Sequence, residues 1–317
     1  MTTATIAARA PAKLNFGLRV LGVRADGYHL LESLFVPLDL ADDLVLELAP
    51  AEAPRVALRL EGGPAGLERD ARNLAVRAAQ AFLDAAGLAY EVRITLTKRV
   101  PVGAGMGGGS SDAGAVLRAL AAHLPGALGR ERLHVLAASL GADVPYFLDP
   151  RPALVGGIGE RIEPVASVPS FPVLVVTPAP PLATRAVFEA WDRAHPGAAA
   201  PESAALTPGE PNRRMPPLPA SWTESHPSAG RWQTLLAKLL VNDLEPVAAG
   251  LSPAIARVRT WIERAGARAV GMSGSGPTVF GVFDELGEAH EAAAGIAWEP
   301  TDHVHVGHTA GSPEPLP

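Results

Sequence analysis

The sequence predicts an α+β fold of two layers in two domains, 1–158 and 159–308. Three observations predict it. Residues 5–48 alternate like strands, helical periodicity sets in from residue 73, and the character of the chain shifts after about residue 158. A length of 317 residues suits one large or two ordinary domains.

Near the start, Leu14, Phe16, Leu18 and Val20 fall on one face while Lys13, Asn15 and Gly17 share the other, the period of a half-buried strand. Residues 22–27 form a turn that delivers Tyr28 and His29. Residues 34–38 and 44–48 read as two further strands, and 54–60 as another. Residues 73–86 read as a helix with Leu74, Ala78, Ala81, Phe82 and Ala85 on one stripe and Gly87 as its stop. Residues 91–100 alternate again, with Val92, Ile94, Leu96 and Val100 opposite Arg93, Thr95, Thr97 and Arg99. A helix is expected from Ala113, capped by Ser110, Ser111 or Asp112. Residues 130–140 form another, stopped at Gly141, with Asp143 just beyond it. In the second half, 172–178 is a buried strand, and 183–193, 235–248, 253–265 and 287–296 are helices. Strands 269–272 and 277–283 are joined by a glycine turn. Residues 195–231, rich in proline, alanine and serine, are expected to be a mobile insertion, and 309–317 a disordered tail.

The chain is arranged around one stretch: Pro101, Val102, Gly103, Ala104, Gly105, Met106, Gly107, Gly108, Gly109, Ser110 and Ser111. Five of the seven residues from 103 to 109 are glycine. Glycine lets the main chain take φ > 0 and approach a ligand closely. The N–H groups of such a loop and of a helical first turn converge on an anion, above all a phosphate. Ser110 and Ser111 add donors or a magnesium ligand. The alternative is a flexible linker, but linkers do not sit between a clean strand and a clean helix. No lysine follows the glycines as a Walker A motif requires, and their spacing is not G-x-G-x-x-G.

Composition narrows the classes. A net charge of −6 argues against a nucleic-acid surface. The absence of cysteine excludes disulfides, thiolate nucleophiles and cysteine–zinc sites. No apolar run approaches the roughly 18 residues that span a bilayer. The first twelve residues lack the apolar core of a signal peptide, so a cytoplasmic location is expected. Arginine outnumbers lysine 24 to 3, which singles out Lys13, Lys98 and Lys238 as positions that favour a compact ammonium.

The glycine stretch resembles the phosphate loop of the GHMP kinases, P-x-G-x-G-L-G-S/G-S-S/A, with Met106 where leucine is commoner. Pro11-Ala12-Lys13-Leu14-Asn15-Phe16 and Gly271-Met272-Ser273-Gly274-Ser275-Gly276-Pro277-Thr278-Val279-Phe280 fit the same family in order. Asp26-Gly27-Tyr28-His29 and Leu140-Gly141-Ala142-Asp143-Val144-Pro145 are similar to its branch that acts on a CDP-linked methylerythritol in non-mevalonate isoprenoid synthesis. The similarity runs from about residue 10 to about residue 285. It implies an N-terminal domain like ribosomal protein S5 and a ferredoxin-like C-terminal domain. It further implies transfer of the ATP γ-phosphate to the substrate's 2-hydroxyl, with Mg2+, and no nucleic-acid or membrane partner. A monomer or weak homodimer is expected.

The resemblance also implies roles. Asp143, by itself a turn or cap residue, becomes the base, and Lys13 its partner beside the transferred phosphate. Asn73 and Lys98, which could equally be surface residues, match positions near the adenine. Tyr28 and His29 grip the cytidine base. Asn15, Phe35, Thr184 and Phe188 complete the substrate pocket. Gly274, Ser275 and Gly276, otherwise a hairpin turn, buttress the loop and the substrate phosphates. Asp112 stands where the family often has asparagine, and an extra carboxylate there is unfavourable unless it points away or touches the metal. Another GHMP kinase, acting on homoserine, mevalonate or a sugar, and a non-catalytic sensor of the same fold are the alternatives.

Overall fold

The computed structural model describes residues 3–63, 66–68, 70–165, 168–198, 215–216, 218 and 229–310. Most of the insertion expected at 195–231, and everything after residue 310, lies outside these. The chain divides into two compact units. One comprises Met1–Ala12, Leu40–Val102 and Gly107–Pro150; the other comprises Lys13–Asp39, Gly103–Met106 and Arg151–Pro317. A single cut near residue 158 was expected. The division is interleaved instead because two long strands, β1 (Ala4–Val23) and β2 (His29–Pro50), each contribute to both units. The separate strands expected at 34–38 and 44–48 are thus one. Pro37 does not break it: it lies outside the ladders of residues 31–35 and 43–50 with β5 and β4, and β1 pairs with β2 as well.

In the first unit, β3 (Arg55–Gly62) pairs in parallel with β4 (Tyr90–Lys98), and β4 pairs antiparallel with the end of β2. The crossover between the parallel strands is α1 (Leu74–Ala86), as such a connection requires. The Asn73 side chain caps α1, and Gly87 ends it at φ 63. Then come α2 (Gly108–His123), α3 (Arg130–Leu140) and a 3₁₀ turn at Tyr146–Leu148. Leu44, Leu46, Leu48, Val92, Ile94 and Leu96 from the strands bury against Phe82, Leu83, Val116, Leu117 and Leu120 from the helices. Each such side chain contributes about 1.5–3 kcal/mol by burial.

In the second unit, β5 (Ala153–Gly157) pairs antiparallel with residues 31–35 of β2, and β6 (Arg161–Pro164) pairs with β5. A separate antiparallel sheet is built from β7 (Pro172–Thr177), β8 (Ala269–Met272), β9 (Val279–Val282) and β10 (His303–His308), in the order β10-β7-β9-β8. Its helices are α4 (Thr184–Ala194), α5 (Ala229–Leu239), α6 (Glu245–Leu251), α7 (Pro253–Arg264) and α8 (Leu286–Gly295). Leu174, Val176, Val279 and Met272 pack with Val187, Trp191, Ile255, Val258 and Ile262. One helix was expected at 235–248; α5 and α6 are separated because Asn242 bonds elsewhere and its Oδ1 caps Leu244 N at 2.9 Å. Thr309, expected to open a disordered tail, is ordered against the rest of the unit. Thr309 is fully buried, and Phe171 N donates to its hydroxyl at 2.8 Å. Among the described residues, no helix is long and apolar enough to cross a membrane.

Candidate active site

The glycine loop leaves β4 and enters α2 directly. Gly103, Gly105 and Gly107 have φ of 66, 71 or 73°, a region other residues avoid. Helix α2 starts at Gly108, not Ala113, and Gly107 is its N-cap with no side-chain capping bond. The first-turn amides, which have no intrahelical partners, are therefore supplied by glycines and Ser110. Glycine's weak helix propensity hid this start in the sequence. Ser110 is half-buried in that turn. Ser111 is not placed as expected: it is fully buried, and its hydroxyl donates to Pro11 O at 2.7 Å. The side chains of Ala104 and Met106 are buried, so only their main chain is offered to a ligand.

Within the second unit, Gly105 meets the other glycine turn. A Cβ at Gly105 would overlap Ser273 O, and Ser273 Oγ donates to Gly105 O at 3.0 Å. Lys13 closes this knot. Its ammonium donates to Asn15 Oδ1 and, at 2.9 Å, to Gly105 O, and stands 4.6 Å from the Phe35 ring centroid. Lys13 N also donates to Met106 O at 3.0 Å. Asn15 donates through Nδ2 to Ser33 Oγ at 2.8 Å, and Ser33 to Gly17 O at 2.6 Å. The Asn15 amide and the Phe35 ring, expected to touch substrate, are thus engaged in holding Lys13. Asn242 holds the turn from behind, donating to Met272 O and Gly274 O at 2.9 and 2.8 Å.

Within the first unit lies a second buried lysine. Lys98 is 8% exposed and lies between Asp42 and Asp112, with Asp112 Oδ2 at 2.8 Å. Asp42 Oδ1 also accepts from Arg99 N and Val100 N at 2.5 and 2.9 Å. Burial works against the Lys98 charge, but Asp112 and Asp42 more than offset it and its pKa is raised. Burial pushes the Asp112 carboxyl up to about 8; Lys98 opposes this and the charge of Asp42 adds to it. Asp112 Oδ1 has no hydrogen-bond partner among the described residues. The Asp112 carboxyl is therefore drawn into an ion cluster with Lys98 and Asp42. The ammonium of Lys98, expected near adenine, is committed to two carboxylates. Asn73 is likewise committed: it caps α1 at Ala75 N, 2.9 Å, and donates to Glu68 O, 2.9 Å.

Asp143 is half-buried three residues past the end of α3. Its turn is fastened to α2. Gly114 has no room for a Cβ against Phe147, and the Arg118 guanidinium donates to Phe147 O and, at 2.8 Å, to Arg9 O. Burial pushes Arg118 down to about 10, opposed by Asp149. Burial, then the charges of Asp143 and Asp149, raise the Tyr146 hydroxyl.

The remaining expected residues lie in the second unit. Tyr28 is 58% exposed on a turn pinned by Arg24 and Asp26, which are 2.7 Å apart. His29 is half-buried, not a surface turn residue: its ring lies 4.5 Å from that of Phe188, and its Nε2 lies 2.6 Å from Asp192 Oδ1. Thr184 Oγ1 lies 3.0 Å from Ser275 Oγ, which joins α4 to the 273–276 turn. Gly274 and Gly276 have φ of 58 and 80°.

Sequence reading missed Ser33, Asp42 and Asp192, whereas Ser273 lies in the turn expected to buttress the loop. Asp192 had a signal, since it follows Thr184 and Phe188 at the helical spacing of four. The burial of Lys98 had one too, since it has the parity of Val92, Ile94, Leu96 and Val100. Ser33 carried no signal of its own.

Known proteins resemble this chain along nearly its whole length. The model of the GHMP kinases N terminal domain matches residues 73–156, and that of the GHMP kinases C terminal domain matches 224–297. A 4-diphosphocytidyl-2-C-methyl-D-erythritol kinase of Geobacter sp. (strain M21) is 39% identical over 287 residues, covering 90% of this chain and 92% of the relative. One from Anaeromyxobacter dehalogenans (strain 2CP-C) is 43% identical over 290 residues, covering 90% and 83%. A crystal structure of 4-(cytidine 5'-diphospho)-2C-methyl-D-erythritol kinase superposes with a TM-score of 0.72 at 36% identity, covering 97% of this chain and all of the other.

Proposed function

Since the chain belongs to the GHMP kinase family, with 4-diphosphocytidyl-2-C-methyl-D-erythritol kinases as relatives along nearly its whole length, we propose that it phosphorylates the 2-hydroxyl of 4-diphosphocytidyl-2-C-methyl-D-erythritol at the expense of ATP. That near-complete match carries the reading, and the two family models span the glycine loop, Asp143 and the 273–276 turn. The reaction belongs to non-mevalonate isoprenoid synthesis and runs in the cytoplasm.

Phosphoryl transfer needs positioning, charge neutralisation and an acceptor for one proton. The main-chain amides of residues 103–110 hold the β- and γ-phosphates of ATP. Asp143 takes the proton from the 2-hydroxyl as that oxygen bonds to the γ-phosphorus and the bond to the β-phosphate oxygen breaks, releasing ADP. Lys13 supplies positive charge for the oxygen atoms of the transferring group. Magnesium travels with ATP and adds neutralising charge; among the described residues no cluster of three His, Cys, Asp or Glu could hold it. Ser110 is the loop hydroxyl suited to it, because Ser111 is bonded to Pro11. Tyr28, His29 and Phe188 hold the cytosine by stacking and edge contacts, and Thr184, Ser275 and Gly276 line the approach.

The test is ATP turnover with the CDP-linked methylerythritol beside homoserine and mevalonate. Phosphorylation of the first alone, at the 2-hydroxyl by 31P NMR, is the expected result. Preference for either other alcohol would refute the substrate assignment, and turnover of none would favour a sensor.

A further inference from the structure

Thr184, Phe188 and Asp192 follow one another at intervals of four, so one face of α4 carries all three. Each meets a residue of the nucleotide end of the site proposed above. Thr184 meets Ser275, the Phe188 ring lies against His29, and Asp192 Oδ1 sits 2.6 Å from His29 Nε2. Trp191 closes a further side of the imidazole edge-on, with centroids 5.6 Å apart, and itself stacks on His195 at 4.4 Å. The His29 ring is therefore held by three neighbours from one helix. Its side chain is only 11% exposed, whereas that of Asp192 is 46% exposed. Asp192 is thus no part of the core, and its replacement tests orientation rather than folding.

A carboxylate offers only acceptors, so the His29 nitrogen facing it carries the hydrogen. Nδ1 is then the remaining polar atom of the ring, and in neutral imidazole it can only accept. We propose that Asp192 is a positioning residue that locks this tautomer of His29, and so makes the site select a base with an amino group, cytosine, over its oxo counterpart, uracil. This rests on the reading of His29 as a contact of the substrate's base. Cytosine presents an amino donor where uracil presents a carbonyl. A lone pair facing the amino group gains a hydrogen bond. Facing the carbonyl, two acceptors oppose each other, and both lose water without a partner. Sites built around such a bond discriminate far more strongly than apolar pockets do.

The test measures phosphorylation of the CDP-linked and the UDP-linked methylerythritol by the wild-type protein, Asp192→Asn and Asp192→Glu. A second readout is the 15N shifts of the His29 ring in the ligand-free protein. The wild-type protein is expected to favour the cytidine substrate in kcat/KM by about tenfold or more. Asp192→Asn, whose amide can donate as well as accept, is expected to erode that preference by about tenfold. The change should fall on KM for the cytidine substrate rather than on kcat, and Asp192→Glu should restore part of it. The ring nitrogens should shift from the Nε2–H tautomer in the wild-type protein to a mixture in Asp192→Asn. An undiminished cytosine preference in Asp192→Asn, a loss confined to kcat, or unchanged ring shifts would overturn the proposal. Turnover of neither nucleotide substrate by the wild-type protein would instead refute the proposed function, and the inference with it.

Discussion

Two buried lysines, one in each unit, are held in opposite ways. Lys98 sits between the carboxylates of Asp42 and Asp112. Lys13 donates to an amide oxygen and a main-chain carbonyl and stands over the Phe35 ring. In the first cluster two carboxyl groups face the ammonium and balance its charge, with Asp112 pushed up to about 8 by burial. In the second, an amide oxygen and a main-chain carbonyl orient the ammonium. The difference teaches which lysine is built into the fold and which is aimed at chemistry, although both were singled out by the same scarcity of lysine.

The largest expected effect breaks the comparison on the chemical side. Lys13→Met is expected to lower turnover at least about a hundredfold, the scale of a lost acid–base or charge-stabilising group. Circular dichroism should show an unchanged fold, and turnover within a few-fold of wild type would cancel the distinction between the lysines. Next, Lys98→Met leaves two carboxylates buried around an apolar stem. Its cost should be about 3 kcal/mol or more in urea unfolding, as for a buried pair deprived of one partner. Equal midpoints would mean that the cluster does not hold the first unit together. Gly105→Ala comes third. Its φ of 73° and the overlap of its Cβ with Ser273 O require the loop to shift, at a cost of about 1–3 kcal/mol. A higher KM for ATP should accompany that loss.

The smallest effect sharpens the comparison through pH. The Asp112 carboxyl, pushed up to about 8 by burial in the folded protein, starts from 3.8 when unfolded. Its folded pKa is raised, so its contribution to stability is fully present below pH 4 and is lost as pH climbs to about 8. Asp112→Asn does not titrate. Between pH 5 and 8 its melting temperature should therefore fall less than that of the wild-type protein. Parallel curves would show that Asp112 keeps an ordinary carboxyl.

Much of this arrangement was legible in the sequence. The alternation from Val92 to Val100 placed β4, the glycines placed the loop, and the fold class followed from strands and helices whose stripes were clear. Long-range partners were not legible. Nothing local in Leu34 or Leu44 says that one strand will pair with three others, and nothing in Ser33 says that it will join Asn15 to Gly17 O. Asn73 and Asn15 were read as ligand contacts from the family resemblance, and Ser111 because its hydroxyl follows the glycine loop. Each instead satisfies a helix end, a lysine or a carbonyl of the chain, since buried main-chain groups must find partners somewhere. Sequence identifies the residue types a site needs; only packing decides which of them face inward.

The most direct test of the account follows one turnover. Wild-type protein and Asp143→Asn are mixed with ATP and the CDP-linked methylerythritol, and ADP is measured after rapid quenching, with ATP binding determined in parallel. The account predicts that Asp143→Asn binds ATP within a few-fold of the wild-type protein while its transfer rate drops at least about a hundredfold. Transfer at close to the wild-type rate by Asp143→Asn would contradict it.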